Sequence, residues 1–286
     1  MEVREGDLTD SASLGDALRG CRTLFHAAAD YRMWTRHPEA MFRANVDGTR
    51  DLVLAAAEAG VERIVYTSSV ATLGLPHDGG DGDENTPVRF EDMIGPYKQS
   101  KYRAEEEVLK LVSERGLPVV IVNPSLPVGP GDIKPTPTGR MILEAAMGRM
   151  PIYVDTGLNV VHVDDVAEGH FLAWEKGRVG ERYVLGGENM TLRQILEAMA
   201  SLTGKGRPLF GIPHGVVLPI AHAAELWTRL TGGEEPFVSV DGVRLARKKM
   251  FFSTAKAEHE LGYRFRPARE ALSDALSWYR EHGYLN

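Results

Sequence analysis

The sequence predicts an α/β fold: a Rossmann-like, doubly wound parallel sheet followed by a smaller α+β lobe. Three observations predict it. Strand-like and helix-like segments alternate from the start of the chain. The strand segments Ile64-Val65-Tyr66 and Val119-Val120-Ile121-Val122 are continuously apolar, as strands of buried parallel sheets are. After Ser125 the chain becomes irregular, with Pro127, Pro130, Pro135 and Pro137 among Gly129, Gly131 and Gly139, which reads as a hinge into a second lobe. The expected division is 1–125 and 126–286.

Taken in order, Glu2-Val3-Arg4-Glu5 reads as a short strand running into Gly6-Asp7-Leu8-Thr9-Asp10 and a helix from about Ser13 to Leu18. Thr23-Leu24-Phe25-His26 is a strand ending in Ala27, Ala28 and Ala29. Pro38 opens a long helix that stops at Gly60, the usual asymmetry of proline in and glycine out. The Ile64 strand ends in Thr67, Ser68 and Ser69, and a glycine- and acid-rich loop follows from about Pro76 to Pro87. A helix bearing Tyr97 runs to Gly116 and leads into the Val119 strand. The second lobe holds a helix after Gly139, a strand near Ile152-Tyr153-Val154 and the segment Val160–Asp165. Another helix opens at the capping box Thr191-Leu192-Arg193-Gln194, and a last one runs from about Pro267 to Glu281. The apolar stretch Val216–Leu230 contains His222, Glu225 and Arg229. It reads as a core or lobe-packing helix rather than a membrane element.

Bulk properties narrow the function. A net charge of −7 with no long basic run argues against a nucleic-acid partner. The single cysteine, Cys21, excludes an internal disulfide and a cysteine-based zinc site. No apolar run reaches the ~18 residues of a membrane span, and no signal peptide is recognised, so a cytoplasmic protein is expected.

The chemistry gathers around Tyr97 and Lys101. Their spacing puts both on one face of a helix, where an ammonium would draw the phenol pKa down from near 10 and make it an acid or base. Lys101, Ala104, Val108 and Leu111 share the inward stripe, whereas Lys98, Arg103, Glu105, Glu106 and Lys110 are expected to look outward. Ser68 and Ser69 end a strand where they would meet a substrate oxygen. Asn45 lies on the inner face of its helix and must be bonded there. Asn123, Pro124 and Ser125 leave a strand at its C-terminal end, where ligands bind in open sheets. His26 is expected to be structural. Asp164 or Asp165 is expected to cap the following helix, not to bind metal.

These residues carry a family resemblance. Gly6-Asp7-Leu8, His26-Ala27-Ala28-Ala29-Asp30-Tyr31, Asn45-Val46-Asp47-Gly48-Thr49, Tyr66–Gly74, Asn123-Pro124-Ser125, Gly131–Arg140, Asn159–Ala167 and Lys249-Met250-Phe251-Phe252-Ser253 span nearly the whole chain. The chain resembles the extended short-chain dehydrogenase/reductases, the NAD-dependent epimerase/dehydratase group. Within it the chain is most similar to hopanoid-associated sugar epimerases, whose nearer relatives include dihydroflavonol-reductase-like enzymes. The resemblance implies NAD or NADP as cofactor. It makes Tyr97 the acid/base, Lys101 the ligand of the nicotinamide ribose, and Ser69 the holder of the substrate oxygen, with Ser68 able to exchange roles. Asp7 and Leu8 resemble an adenine-contacting pair, or simply a turn. Ala27, Ala28 and Ala29 either let a cofactor approach or pack tightly. Asn45, Thr67, Ser68, Pro124 and Ser125 complete the implied cofactor contacts.

A sugar-bearing small molecule is the implied substrate, with a one-way NADPH-dependent ketone or aldehyde reductase as the alternative and a non-catalytic scaffold as a third reading. A homodimer through the helices of Asn45 and Tyr97 is also implied. Lys134, Thr136, Thr138, Arg140, Arg244 and Arg247 are candidates for a substrate diphosphate. The family's fold opens with a strand, a G-x-x-G-x-x-G turn and a helix that holds the cofactor pyrophosphate. This sequence has no such motif, and Met1–Leu8 resembles the family's third strand. The expectation is that a unit of at least roughly 30 residues is missing, through a late-assigned start in preference to a real truncation with a crippled cofactor site, leaving strand edges unpaired.

Overall fold

Four strands, Thr23–His26, Arg63–Thr67, Val119–Pro124 and Arg182–Leu185, lie side by side in that order and all run parallel. The structure, a computed structural model, describes residues 2–233, 236 and 238–285. Two-sided covering explains the continuous apolar runs. Ile64, Tyr66, Val119 and Ile121 face one layer, packing with Leu14, Val53, Ala104 and Val108. Val65, Val120 and Val122 face the other, against Val166, Ala173 and Leu261. With successive side chains pointing to opposite faces, Ile64–Tyr66 and Val119–Val122 leave no position for a solvated residue.

A second sheet orders Lys249–Met250, Gly157–His162 and Leu126–Val128 in parallel, with Glu188–Thr191 antiparallel on Gly157–His162. Helices Pro137–Ala146, Leu192–Thr203 and Ala268–Glu281 cover it around Ile142, Ile195, Met199 and Leu272. Thr191 and Gln194 form the expected capping box. The last strand of the first sheet comes from beyond Ser125, so the two lobes interleave rather than divide at the hinge.

Several local expectations change. Glu2–Glu5 is not a strand: it is exposed and joins no sheet among the described residues. Thr23–His26 pairs only with Arg63–Thr67 among them, and its Phe25 is 45% exposed at that edge. The first helix starts earlier, at Ser11, because the Asp10 side chain accepts the Ala12 N–H. The Pro38 helix contains a π-turn, Arg43–Asp47, between Pro38–Phe42 and Gly48–Glu58. Neither Asp164 nor Asp165 caps Val163–Lys176. His162 does, its Nδ1 accepting the Asp164 N–H at 3.1 Å, while Asp165 turns to the backbone and guanidinium of Arg266. The apolar stretch forms a helix, His214–Thr231, that packs on Val240–Ala246 through Ala221, Val240 and Val243. It does so on one side only, since Trp227 is 69% and Leu230 75% exposed.

Candidate active site

Gly95, at a φ of 83° that favours glycine, turns the chain into the helix Gly95–Arg115, with Pro96 in its first turn. Lys101, Ala104, Val108 and Leu111 are all buried, as their spacing predicts. The Lys101 ammonium donates to the Thr67 carbonyl at 2.9 Å and the Tyr66 hydroxyl at 3.2 Å, and lies over the Tyr66 ring. Burial pulls its pKa down to about 8, against the opposing pull of Glu105. Burial raises the Tyr97 phenol, the Ser69 side chain beside it works the other way, and the ammonium is engaged elsewhere.

Lys98 and Glu105, expected to look outward, are buried at 8% and 3% exposure. The reason for Glu105 lies far along the chain. Its Oε2 accepts from Thr72 Oγ1 at 2.9 Å and Asn123 Nδ2 at 2.8 Å, and its Oε1 from Arg182 at 3.2 Å. Asn123 Nδ2 also donates to the Ser69 carbonyl at 3.0 Å, and the Thr72 hydroxyl, with one proton to give, lies 2.8 Å from the same oxygen. Ser69 Oγ opens the short turn Val70–Thr72 by accepting the Ala71 N–H. The Ser69 backbone is thereby fixed from below by a carboxylate that local periodicity does not reveal. Lys98 has a different setting: its ammonium meets the Met250 sulfur at 3.8 Å.

Asn45 sits in the π-turn, a feature found often at functional sites. Its Oδ1 accepts the Asp30 N–H at 2.7 Å, and its Nδ2 donates to the Asp30 carbonyl at 2.9 Å and Ser100 Oγ at 3.0 Å. It thus clamps the segment after Ala29 to the Tyr97 helix. His26 is buried, bonded to Thr49 Oγ1 at 2.9 Å, and held neutral with a pKa of about 3, by burial first and the Lys101 charge second. That is the structural histidine expected.

A cleft of 490 Å³ collects Ser69, Tyr97, Lys98 and Ser125, walled by Tyr31, Met33, Leu126, Leu158, Leu245 and Met250. Thr136 and Thr138 reach it too. Asp7, Leu8, Ala27, Ala28, Ala29, Asn45, Thr67, Ser68, Lys101 and Pro124 do not line it. Asp7 shapes a turn by accepting from the Thr9 N–H and hydroxyl, which lowers its pKa, and Leu8 lies so close to Gly48 that a Cβ there would sit 2.7 Å from the Leu8 oxygen. Ala27 and Ala28 are exposed, so tight packing is not what requires small side chains there. Ser68 Oγ and Ser125 Oγ are buried without a hydrogen-bond partner. Such orphaned hydroxyls are rare in a folded protein. Together with Lys101 they suit the polar half of a nicotinamide nucleoside at the C-terminal end of the sheet. The glycine-rich pyrophosphate turn has no counterpart in this sequence.

The chain is similar to known proteins over nearly its whole length. The chain is 45% identical over 284 residues to a putative dihydroflavonol 4-reductase of Synechocystis sp., covering 98% of this chain and 82% of the relative. It is 37% identical over 286 residues to sterol demethylase protein B of Methylococcus capsulatus, covering 100% and 87%. A solved nucleoside-diphosphate-sugar epimerase, PA4631 of Pseudomonas aeruginosa, is 28% identical and superposes with a TM-score of 0.79, covering 100% of this chain and 84% of that one. With the family model matching residues 1–186, the chain belongs to the NAD dependent epimerase/dehydratase family of NAD(P)-dependent enzymes.

Proposed function

We propose that this chain interconverts a carbinol and a ketone on a largely apolar small molecule, with Tyr97 moving the proton. The nicotinamide, when bound, supplies or accepts the hydride. Tyr97 gives its proton to the carbonyl oxygen in reduction and recovers one from the hydroxyl in oxidation. Ser69 Oγ holds the same oxygen, and Lys101 offers its ammonium to the ribose. The observation that carries the reading is the cleft itself, where Ser69 and Tyr97 open together into walls of Met33, Leu126, Leu158, Leu245 and Met250. Those walls desolvate a hydrocarbon skeleton better than a sugar diphosphate. Of the expected diphosphate ligands Thr136 and Thr138 reach the cleft, whereas the cations Lys134, Arg140, Arg244 and Arg247 do not line it. The names of the reductase and sterol-demethylase relatives point the same way.

A sugar epimerase is the second reading, supported by the likeness to the solved sugar epimerase. Cofactor turnover separates them, because a reductase consumes reduced nucleotide whereas an epimerase returns it. NADH and NADPH oxidation is followed with apolar cyclic ketones, and stereochemical scrambling with nucleotide sugars. Tyr97→Phe is expected to lower either activity at least ~100-fold, and near-normal turnover by that variant would remove Tyr97 from the mechanism. The homodimer through the Asn45 and Tyr97 helices is tested by light scattering.

A further inference from the structure

We propose that the exposed face of the helix His214–Thr231 docks on the headgroup layer of an anionic lipid bilayer. At helical spacing Val216, Ile220, Ala223, Trp227 and Leu230 fall in one stripe with Leu226 at its edge, and all six are exposed. Glu225, the helix's sole carboxylate, turns to the other side, where its Oε1 accepts the Val240 N–H at 2.8 Å. No negative charge interrupts the stripe. Leu209 and Phe210, in the segment leading into the helix, are 74% and 57% exposed.

Charge identifies the occupant. Residues 205–249 carry seven lysines and arginines against four carboxylates, a net +3 in a chain whose overall charge is −7. Among the described residues Lys205, Arg207, Arg247 and Lys248 are exposed and belong to no ion pair. Arg247 and Lys248 follow directly on Ala246, whose carbonyl meets His214 Nε2 at 3.0 Å, so they lie at the start of the striped helix. Anionic headgroups would neutralise these cations. A tryptophan beside leucines, flanked by cations, is the composition of a helix lying in a bilayer interface. No helix among the described residues is long and apolar enough to cross a membrane, so the contact is superficial.

The cleft lies one helix away. Val240–Ala246 packs on the striped helix through Val240 and Val243 and lines the cleft through Gly242, Leu245 and Ala246. Arg36 ties the neighbouring segment to the same helix by donating to the Thr228 and Gly233 carbonyls. Docking would bring the cleft to the bilayer, a consequence that rests on the apolar-substrate reading; the docking itself does not.

The test is sedimentation of the full chain with vesicles of phosphatidylcholine, alone or mixed with phosphatidylglycerol. The chain should pellet with the mixed vesicles and bind pure phosphatidylcholine at least ~10-fold more weakly, as should the Arg247→Gln/Lys248→Gln variant on mixed vesicles. Trp227→Glu/Leu230→Glu should abolish pelleting without changing the thermal melt, because both positions are exposed. Failure to pellet with either vesicle overturns the proposal. So does pelleting that the Trp227/Leu230 variant retains, or a dimer that this variant disperses when the parent chain does not bind vesicles.

Discussion

Replacing Lys98 by methionine removes a buried cation while nearly keeping the side chain's length. Lys98 is 8% exposed, and its ammonium faces the Met250 sulfur, a weak acceptor. Burial, and then the charge of Lys248, lowers its pKa from 10.5 to about 8. By the standard conversion the folded state disfavours the protonated amine by roughly 3 kcal/mol. Because the folded pKa lies below the unfolded one, the unfolded chain binds more protons between about pH 8 and 10.5. The parent protein's stability therefore rises with pH across that window, and below it the whole cost is present. Lys98→Met should gain roughly 1–3 kcal/mol at pH 7, less than the full figure because the new side chain must also pack. The advantage should shrink above pH 8 and vanish by about pH 10.5. Lys101 titrates in the same direction, so parent and variant must be compared at each pH. Urea denaturation across this range measures the difference. A variant less stable than its parent at pH 7, or an advantage that does not shrink with pH, would refute the reasoning.

Two further substitutions test the scaffold beneath the cleft. Glu105→Leu strips a partner from Arg182, Thr72 and Asn123 together and should cost about 3–5 kcal/mol in urea denaturation. A loss below about 1 kcal/mol would show that the network does not hold Ser69. Asn45→Leu leaves the Asp30 N–H and carbonyl without their side-chain partners and should cost about 2–3 kcal/mol. Hydrogen exchange at Asp30 should quicken well beyond the global change, and unchanged protection there would exclude the clamp.

Legibility followed the range of the interaction. The strands at Thr23, Ile64 and Val119 and the inward stripe of Lys101 were readable because a two-sided sheet and a helix impose short periods on the sequence. Glu105 was misread because its partners sit on three other elements, one of them the Arg182 strand nearly eighty residues on. Lys98 was misread because it lies off the inward stripe that periodicity defines, and only the arrival of Met250 covers it. Glu2–Glu5 has strand character in its residues, but a strand exists only where a ladder partner accepts it, and residue pattern does not report on that.

The errors on the Tyr97 helix share a physical origin. Periodicity assumes that charge avoids burial, so it fails where burial of charge is maintained by something other than folding stability. At Glu105 that something is visible: three hydrogen bonds from Arg182, Thr72 and Asn123 compensate the carboxylate, and Asn123 also holds the Ser69 carbonyl. At Lys98 and Lys101 compensation is incomplete, since both amines are pulled down to about pKa 8, and Ser68 and Ser125 add buried hydroxyls with no partner. Uncompensated polar groups cluster where strain serves binding or catalysis rather than stability. Here they converge at the strand ends and the cleft between the two sheets. A ligand satisfying Ser68, Ser125 and Lys101 would therefore stabilise the fold, and NADH or NADPH binding should raise the thermal melting temperature of the parent more than that of Lys101→Met. Equal shifts in the two proteins would mean that the ammonium contributes nothing to the cofactor, and its burial would then need another explanation.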